Sequence, residues 1–463
     1  MTSWLPDLAA QRGPRYRAIA EALAEDVQRG ALPPGARLPT HRELAWRLKV
    51  TVGTVSRAYA EAERRGLIAG EVGRGTFVRA AATPAPLLRL HDEAQPADLV
   101  DFAVHRPRAA SEGPLLADAL AALAGDPELA ELMEYQPHAG RDRERAAGAA
   151  WIARSGGLAA TPGRVVVTAS GQHAMAAVLA AITEPGDGLA VEALTYPGIR
   201  AAASLLHLKL VPLAIDDEGV LPDALASACR GGRVRALYTL PTLHNPTTAM
   251  MPLERRRALA EVARRHQVML IEDDVYGFLA ERPLPALTSL APEHGFYITA
   301  TSKSFVPGLR VGYVHCPAAL VDDVAAAVRA MTYTAPPLTA RIASRWIEDG
   351  IADRLVAEKR AEAARRQHAA QRLLPQQSYR TSPGAAHLWL TLPEPWQGEA
   401  FAAAARQRGI AVTPAAAFAT GRQVPRAVRL CIGTPPSLAA VAHGLARLAE
   451  LLAAAPEGYL SVV

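Results

Sequence analysis

Lysine is nearly missing from this sequence. Of 50 basic residues only four are lysines, Lys49, Lys209, Lys303 and Lys359, and the remainder are arginine. Either residue can supply positive surface charge, whereas covalent chemistry at a carbonyl requires a primary amine that can lose its proton. Each surviving lysine is therefore a candidate for chemistry. Cysteine is scarce as well: Cys229, Cys316 and Cys431 are far apart and form no CxxC pair. That spacing excludes a disulfide framework and a cysteine zinc site, fits a reducing compartment, and leaves no metal expected. Long apolar runs are also lacking. No uninterrupted stretch approaches the ~20 residues of a membrane helix, and the N-terminus has no basic-then-apolar signal pattern. The expectation is a soluble, cytoplasmic protein without a membrane partner.

What is present is length and apolar content. At 463 residues and 50% hydrophobic composition, the chain exceeds what one core supports, so at least two domains are expected. The formal charge of +5 is unevenly placed. Residues 1–80 hold 13 basic and 8 acidic residues, leaving 37 of each for the rest. The whole excess lies at the N-terminal end, where a nucleic-acid-binding module would need it.

Apolar spacing from Tyr16 to Gln28 predicts a helix with Ile19, Leu23 and Val27 on one face, ended by Gly30 and the turn Pro33-Pro34-Gly35. A second helix follows Pro39. Thr40 and Glu43 form a capping box, and Leu44 and Leu48 make its buried face. A third begins after Val50, with Val55 and Tyr59 inward and Thr51, Thr54 and Arg57 outward. Gly66 to Val78 then alternates and turns like a two-stranded wing. This stretch resembles the winged helix-turn-helix of GntR-family transcriptional regulators over residues 12–80. The resemblance implies that Arg42 and Arg57 hold phosphates or bases of double-stranded operator DNA. It also implies that Thr51 and Thr54 sit at the N-terminus of the recognition helix, and that Arg74 and Gly75 approach the minor groove. Gly53 departs from the pattern, where a long polar side chain is frequent, which reduces direct base readout there.

Residues 81–98 read as a linker of Ala, Pro and polar residues. It reaches about 60 Å when extended and roughly 25 Å as a flexible coil, enough to carry the DNA module over a neighbouring subunit. From residue 99 to 463, short β-branched runs alternate with Ala-rich helical stretches, which predicts an α/β core with a mostly parallel sheet. Such sheets bind ligands beyond the carboxyl ends of their strands.

Four strands there end on polar residues. Val165–Thr168 leads into Ser170-Gly171-Gln172 and a helix whose free N–H groups suit a phosphate. Ala236–Leu240 leads to His244-Asn245-Pro246-Thr247, which alone reads equally as an ordinary Asn-Pro turn. Val268–Ile271 ends in Glu272-Asp273-Asp274, a possible helix cap or a partner for a protonated pyridine nitrogen. Tyr297–Thr299 precedes Ser302-Lys303 and, seven residues on from the lysine, Arg310.

In this order and spacing the four resemble fold-type I pyridoxal-phosphate aminotransferases, with a large, mostly parallel sheet domain and a smaller C-terminal α/β subdomain from about residue 335 to 463. The resemblance implies pyridoxal 5′-phosphate attached through Lys303, Asp273 at its ring nitrogen, and Asn245 and Tyr276 at its 3′-oxygen. Tyr196 would stack on the ring. Ser170, Gly171, Gln172, Ser302 and Arg310 would surround the phosphate, with Tyr135 reaching the neighbouring subunit's phosphate in a homodimer. Arg429 matches the family's carboxylate-binding arginine. Ala300, Thr248 and His105 depart from the pattern, the last where an asparagine is common in the substrate pocket.

Both halves together resemble the MocR/PdxR-like subfamily of GntR regulators. The function expected is a DNA-binding transcriptional regulator whose aminotransferase-like domain senses pyridoxal phosphate or an amino-acid or keto-acid effector. The competing reading is a working aminotransferase with an appended DNA-binding module.

Overall fold

The computed structural model describes residues 4–6, 14–28, 31–32, 35–64, 67–71, 75–78, 99–232, 234–281, 284–374, 379–421 and 423–454. Arg74 and the stretch 81–98 lie outside the described residues. The chain divides into two compact units, Met1–Ala94 and Gln95–Val463.

Among its described residues the first unit holds three helices, α1 (Arg15–Gln28), α2 (His41–Leu48) and α3 (Val52–Arg64), followed by the antiparallel pair β1 (Ile68–Glu71) and β2 (Gly75–Val78). Thr40 caps α2, its hydroxyl accepting from the Glu43 N–H at 3.3 Å. Lys49 ends α2 in the left-handed region at φ 52°. That reversal lets α3 start three residues later. The core beneath is Ile19, Leu23, Leu44, Val55, Tyr59, Ile68 and Val78, so the apolar faces read from spacing are the faces that pack. Tyr59 satisfies its buried hydroxyl by donating to the Pro39 carbonyl at 2.9 Å.

The second unit is built on a seven-stranded sheet. After the short β3 (Val100–Asp101) come β4 (Val165–Thr168), β5 (Gly188–Glu192), β6 (Lys209–Leu213), the hairpin β7 (Ile215–Asp216) and β8 (Gly219–Val220), and then β9 (Val234–Thr239), β10 (Met269–Asp273), β11 (Gly295–Ala300) and β12 (Gly312–His315). The large sheet runs β4-β12-β11-β10-β9-β5-β6. Only β12 is antiparallel to its neighbours. Strands buried on both faces, with helices above and below, account for the continuous apolar runs in the sequence.

A second sheet, entirely antiparallel, holds β13 (Tyr379–Arg380), β14 (Leu388–Thr391), β16 (Thr413–Pro414) and β17 (Ala427–Leu430) in the order 13-14-17-16, while β15 (Ile410–Ala411) pairs in parallel with β3. This smaller core includes Phe102 beside Leu388, Leu430 and Leu445. The helix Pro337–Glu348, just past residue 335, buries Ile342, Trp346 and Ile347 in the larger core instead. Residues 100–102, far away in sequence, thus complete the C-terminal layer.

Close packing shows at the helix Asp142–Gly156, where a Cβ on Gly156 would overlap the Tyr297 hydroxyl. That hydroxyl donates to Asp274 Oδ2 at 2.6 Å. Gly156→Ala is expected to lower stability by about 1–3 kcal/mol through overpacking. Gly231→Ala, with open space around it, is the control and should leave the unfolding midpoint unchanged. Equal midpoints for the two variants would contradict this packing.

Candidate cofactor and DNA-binding sites

Lys303 lies in the short helix Thr301–Ser304, directly beyond β11. Its Nζ donates to the backbone carbonyl of His105. Burial lowers its ammonium to about 8, with Arg429 and Lys359 nearby adding to the shift. A second of the four lysines supports it: Lys359 is 1% exposed, pairs with Glu112 Oε1 at 2.9 Å, and donates to the carbonyls of Lys303 and Phe305. The turn that carries Lys303 is therefore held through its backbone by a second buried lysine.

Asp273 ends β10 and is buried. One oxygen, Oδ2, accepts from the Tyr238 hydroxyl at 2.6 Å, and the other, Oδ1, is buried without a partner among the described residues. Burial raises its carboxyl to about 6, opposed by the Tyr238 hydrogen bond. A lone acceptor in this position is what a ring N–H would satisfy.

Asn245 follows β9. Its Oδ1 accepts from Arg429 Nη1 at 2.8 Å, and since arginine only donates, the amide orientation is fixed and the NH₂ end remains available as a donor. Arg429, on β17, also donates to the Ala103 carbonyl and lies 4.8 Å over the Phe418 ring. Its Nε is buried without a partner among the described residues. Tyr276 is buried three residues after Asp273, and burial raises its hydroxyl's pKa. Tyr196 is half-buried, its hydroxyl raised by burial and exposed to the charges of Asp273, Arg429 and Arg310.

The phosphate-type cradle begins with Ser170, whose hydroxyl caps the helix Gly171–Ile182 by accepting from His173 N–H at 3.1 Å. Gly171 and Gln172 open that helix, where the first N–H groups have no intrahelical acceptor. Gln172 Nε2 donates to the Gly198 carbonyl at 2.9 Å, tying the cradle to the Tyr196 segment. Arg310 is exposed at φ 52° and reaches Ser302 Oγ at 3.5 Å. Tyr135 stands apart: it is 86% exposed, with its ring 4.9 Å from Tyr333.

These side chains fit pyridoxal phosphate. They supply a deprotonatable buried amine, an unpaired buried carboxylate oxygen, and a helix N-terminus beside an arginine. Sequence reasoning missed Tyr238 and His387; it had marked His105 only as a departure from the pattern in the substrate pocket, not as the partner of His387, whose ring nitrogen lies 3.0 Å from its own. A tyrosine inside an otherwise apolar strand was the available signal, because its hydroxyl had to find a partner.

In the first unit Arg42 and Thr51 are exposed. The Thr51 hydroxyl accepts from the Thr54 N–H at 3.2 Å and lies 2.9 Å from Thr54 Oγ1, so both hydroxyls help start α3. Arg57 is exposed with its guanidinium 4.4 Å over the Tyr16 ring. Gly75 takes φ 120°, a region favouring glycine, and a Cβ there would press on Arg37 Nε at 2.8 Å. Among the described residues, no helix is long and apolar enough to cross a membrane, and no group of three or more His, Cys, Asp or Glu is placed to hold a metal.

Fold and site together define an aminotransferase-type domain preceded by a winged helix. Residues 97–445 match the aminotransferase class I and II family, and residues 15–78 match the bacterial regulatory proteins of the gntR family. The chain is 33% identical to the uncharacterized HTH-type transcriptional regulator YdeF of Bacillus subtilis over 97% of both chains. It is 27% identical to the HTH-type transcriptional regulator TauR of Rhodobacter capsulatus, over 95% of this chain and 97% of the relative. Among solved structures it resembles LysN, the alpha-aminoadipate aminotransferase of Thermus thermophilus complexed with N-(5′-phosphopyridoxyl)-L-leucine. The TM-score is 0.69 at 26% identity, covering 77% of this chain and 92% of that one. The chain belongs to the family of HTH-type transcriptional regulators that fuse a gntR-family DNA-binding domain to an aminotransferase class I and II domain, the MocR/PdxR-like arrangement.

The raised Asp273 carboxyl has a consequence for the cofactor-free protein. Its pKa when folded, about 6, exceeds the ordinary 3.8. The protonated form is therefore favoured by folding, and this contribution is full below about pH 4 and lost as pH rises through 6. Thermal midpoints of wild type and Asp273→Asn are expected to diverge in favour of the variant between pH 4 and 7, by about 3 kcal/mol. Parallel curves would contradict the shift.

Proposed function

We propose that this protein is a pyridoxal-phosphate-binding transcriptional regulator, whose winged helix binds operator DNA and whose aminotransferase-like domain receives the cofactor and an amino-acid or keto-acid effector. One observation carries the reading: a single chain joins a basic helix-turn-helix to a buried amine, Lys303, within electrostatic reach of Asp273, whose Oδ1 has no partner among the described residues, and of the guanidinium of Arg429.

Bound pyridoxal phosphate supplies an aldehyde and an electron-accepting ring. The chain's residues do the rest. Lys303 would offer its amine to the aldehyde, and a pKa lowered to about 8 makes part of it nucleophilic near neutral pH. Asp273, steadied by Tyr238, would hold a proton at the ring nitrogen, and Asn245 and Tyr276 would take the 3′-oxygen. Tyr196 would cover the ring, and Ser170, Gly171, Gln172, Ser302 and Arg310 would hold the phosphate. Arg429 exchanges its bonds to Asn245 and Ala103 for the effector's carboxylate. Exposed Tyr135, beside Tyr333, completes the partner's phosphate site in a homodimer. On DNA, Arg42, Thr51, Thr54, Arg57, Arg74 and Gly75 make the contacts, and two modules per dimer read half-sites separated by whole helical turns.

An absorbance scan with pyridoxal phosphate should give wild type a visible band that Lys303→Ala lacks. Footprinting should show two protected half-sites. Turnover of an amino acid with a keto acid should stay well below roughly 1 per second, the lower range of ordinary enzymes. Sustained turnover above that rate, with no DNA protection, would instead establish an aminotransferase.

A further inference from the structure

The two buried histidines form a directional relay. His387 Nε2 lies 3.2 Å from the His244 backbone carbonyl, and a carbonyl only accepts, so Nε2 carries the proton. Burial lowers the His387 ring to about 3, which keeps it neutral and leaves Nδ1 a bare acceptor. His105 Nε2, 3.0 Å away, must then be the donor to it. His105 is 5% exposed, and burial, with His387 and Lys303 close by, holds it well below its ordinary pKa. A neutral imidazole protonated at Nε2 has an unprotonated Nδ1. That atom is buried without a partner among the described residues.

Its surroundings are those of the cofactor site. The His105 carbonyl receives Lys303 Nζ, its ring centroid is 4.5 Å from that of Tyr276, and the charge of Arg429 reaches it. The nearby groups Lys303 and Arg429 donate to the carbonyls of His105 and Ala103 and are matched to an aldehyde and a carboxylate. His105 Nδ1 has the opposite polarity and no donor among the described residues.

We propose that His105 Nδ1 is a specificity-determining acceptor, and that the effector is an amino acid whose side chain carries a hydrogen-bond donor, a hydroxyl or an amine. The proposal rests on the reading that this pocket holds pyridoxal phosphate and an amino-acid effector. An apolar side chain in the same place would leave the buried acceptor unmet, a loss worth about a factor of ten in affinity. His387 is a positioning residue: it touches no effector and acts by fixing which His105 nitrogen bears the proton.

The full-length protein loaded with pyridoxal phosphate can be titrated with near-isosteric pairs, L-serine against L-2-aminobutyrate and L-2,4-diaminobutyrate against L-norvaline. Heat of binding and the shift of the cofactor band are the readouts. In at least one pair the donor-bearing member should bind about tenfold more tightly to wild type, and His105→Leu should reduce that ratio to within about twofold. His387→Leu should also reduce it, because His105 is then free to carry its proton on Nδ1, while binding of the apolar members stays unchanged. An intact cofactor band in each variant shows that the pocket is folded. Equal binding within both pairs, or a ratio that survives His105→Leu, overturns the proposal while leaving the cofactor reading in place. A wild type that acquires neither band nor heat overturns the cofactor reading, and the proposal with it.

Discussion

A buried primary amine is the constraint on which the second unit depends. Taking an ammonium out of water is costly, and the structure meets that cost by letting Lys303 donate to a backbone carbonyl, with burial lowering its ammonium to about 8. The carbonyl belongs to His105, in the segment that also offers the Ala103 carbonyl to Arg429. Beneath, Lys359 holds the turn from the other side through the carbonyls of Lys303 and Phe305 and a pair with Glu112. Two of the four lysines are thus buried in one place, the second holding the backbone of the first.

Residues 100–106, near the start of the second unit, do three jobs at once. Val100 and Asp101 add a strand beside β15, Phe102 fills the smaller core, and the carbonyls of 103 and 105 receive Arg429 and Lys303. A ligand that takes over the donors of Arg429 and Lys303 removes two of the bonds holding this segment. Such a change affects DNA binding only if the two arrangements differ in affinity for the ligand, which is the thermodynamic requirement for a regulator of this type.

Much of this was legible in the sequence. The helix boundaries around Thr40 and the buried faces of α1 to α3 followed from capping chemistry and apolar spacing, because local hydrogen bonds and a single small core decide them. The four strand ends bearing Ser170, Asn245, Asp273 and Lys303 were found because a parallel sheet gathers its carboxyl ends along one edge. Long-range relationships were less visible. Nothing local announces that Phe102 joins a core more than 280 residues away in sequence at Leu388, or that Tyr238 meets Asp273. The direction of the His387 to His105 bond depends on a third backbone group, the His244 carbonyl, and only coordinates bring those three together. Arg57, read as reaching outward, is exposed yet rests on the Tyr16 ring, a contact between helices that spacing alone does not encode.

The central claim is that cofactor chemistry at Lys303 governs DNA binding. Its most direct test is the affinity of the full chain for a duplex carrying its own upstream region, measured by fluorescence anisotropy at fixed salt with and without pyridoxal phosphate. The account predicts a change of about 5–150-fold, the usual range of allosteric coupling, in wild type and none in Lys303→Ala. A wild type that binds the cofactor while its DNA affinity stays the same would contradict it.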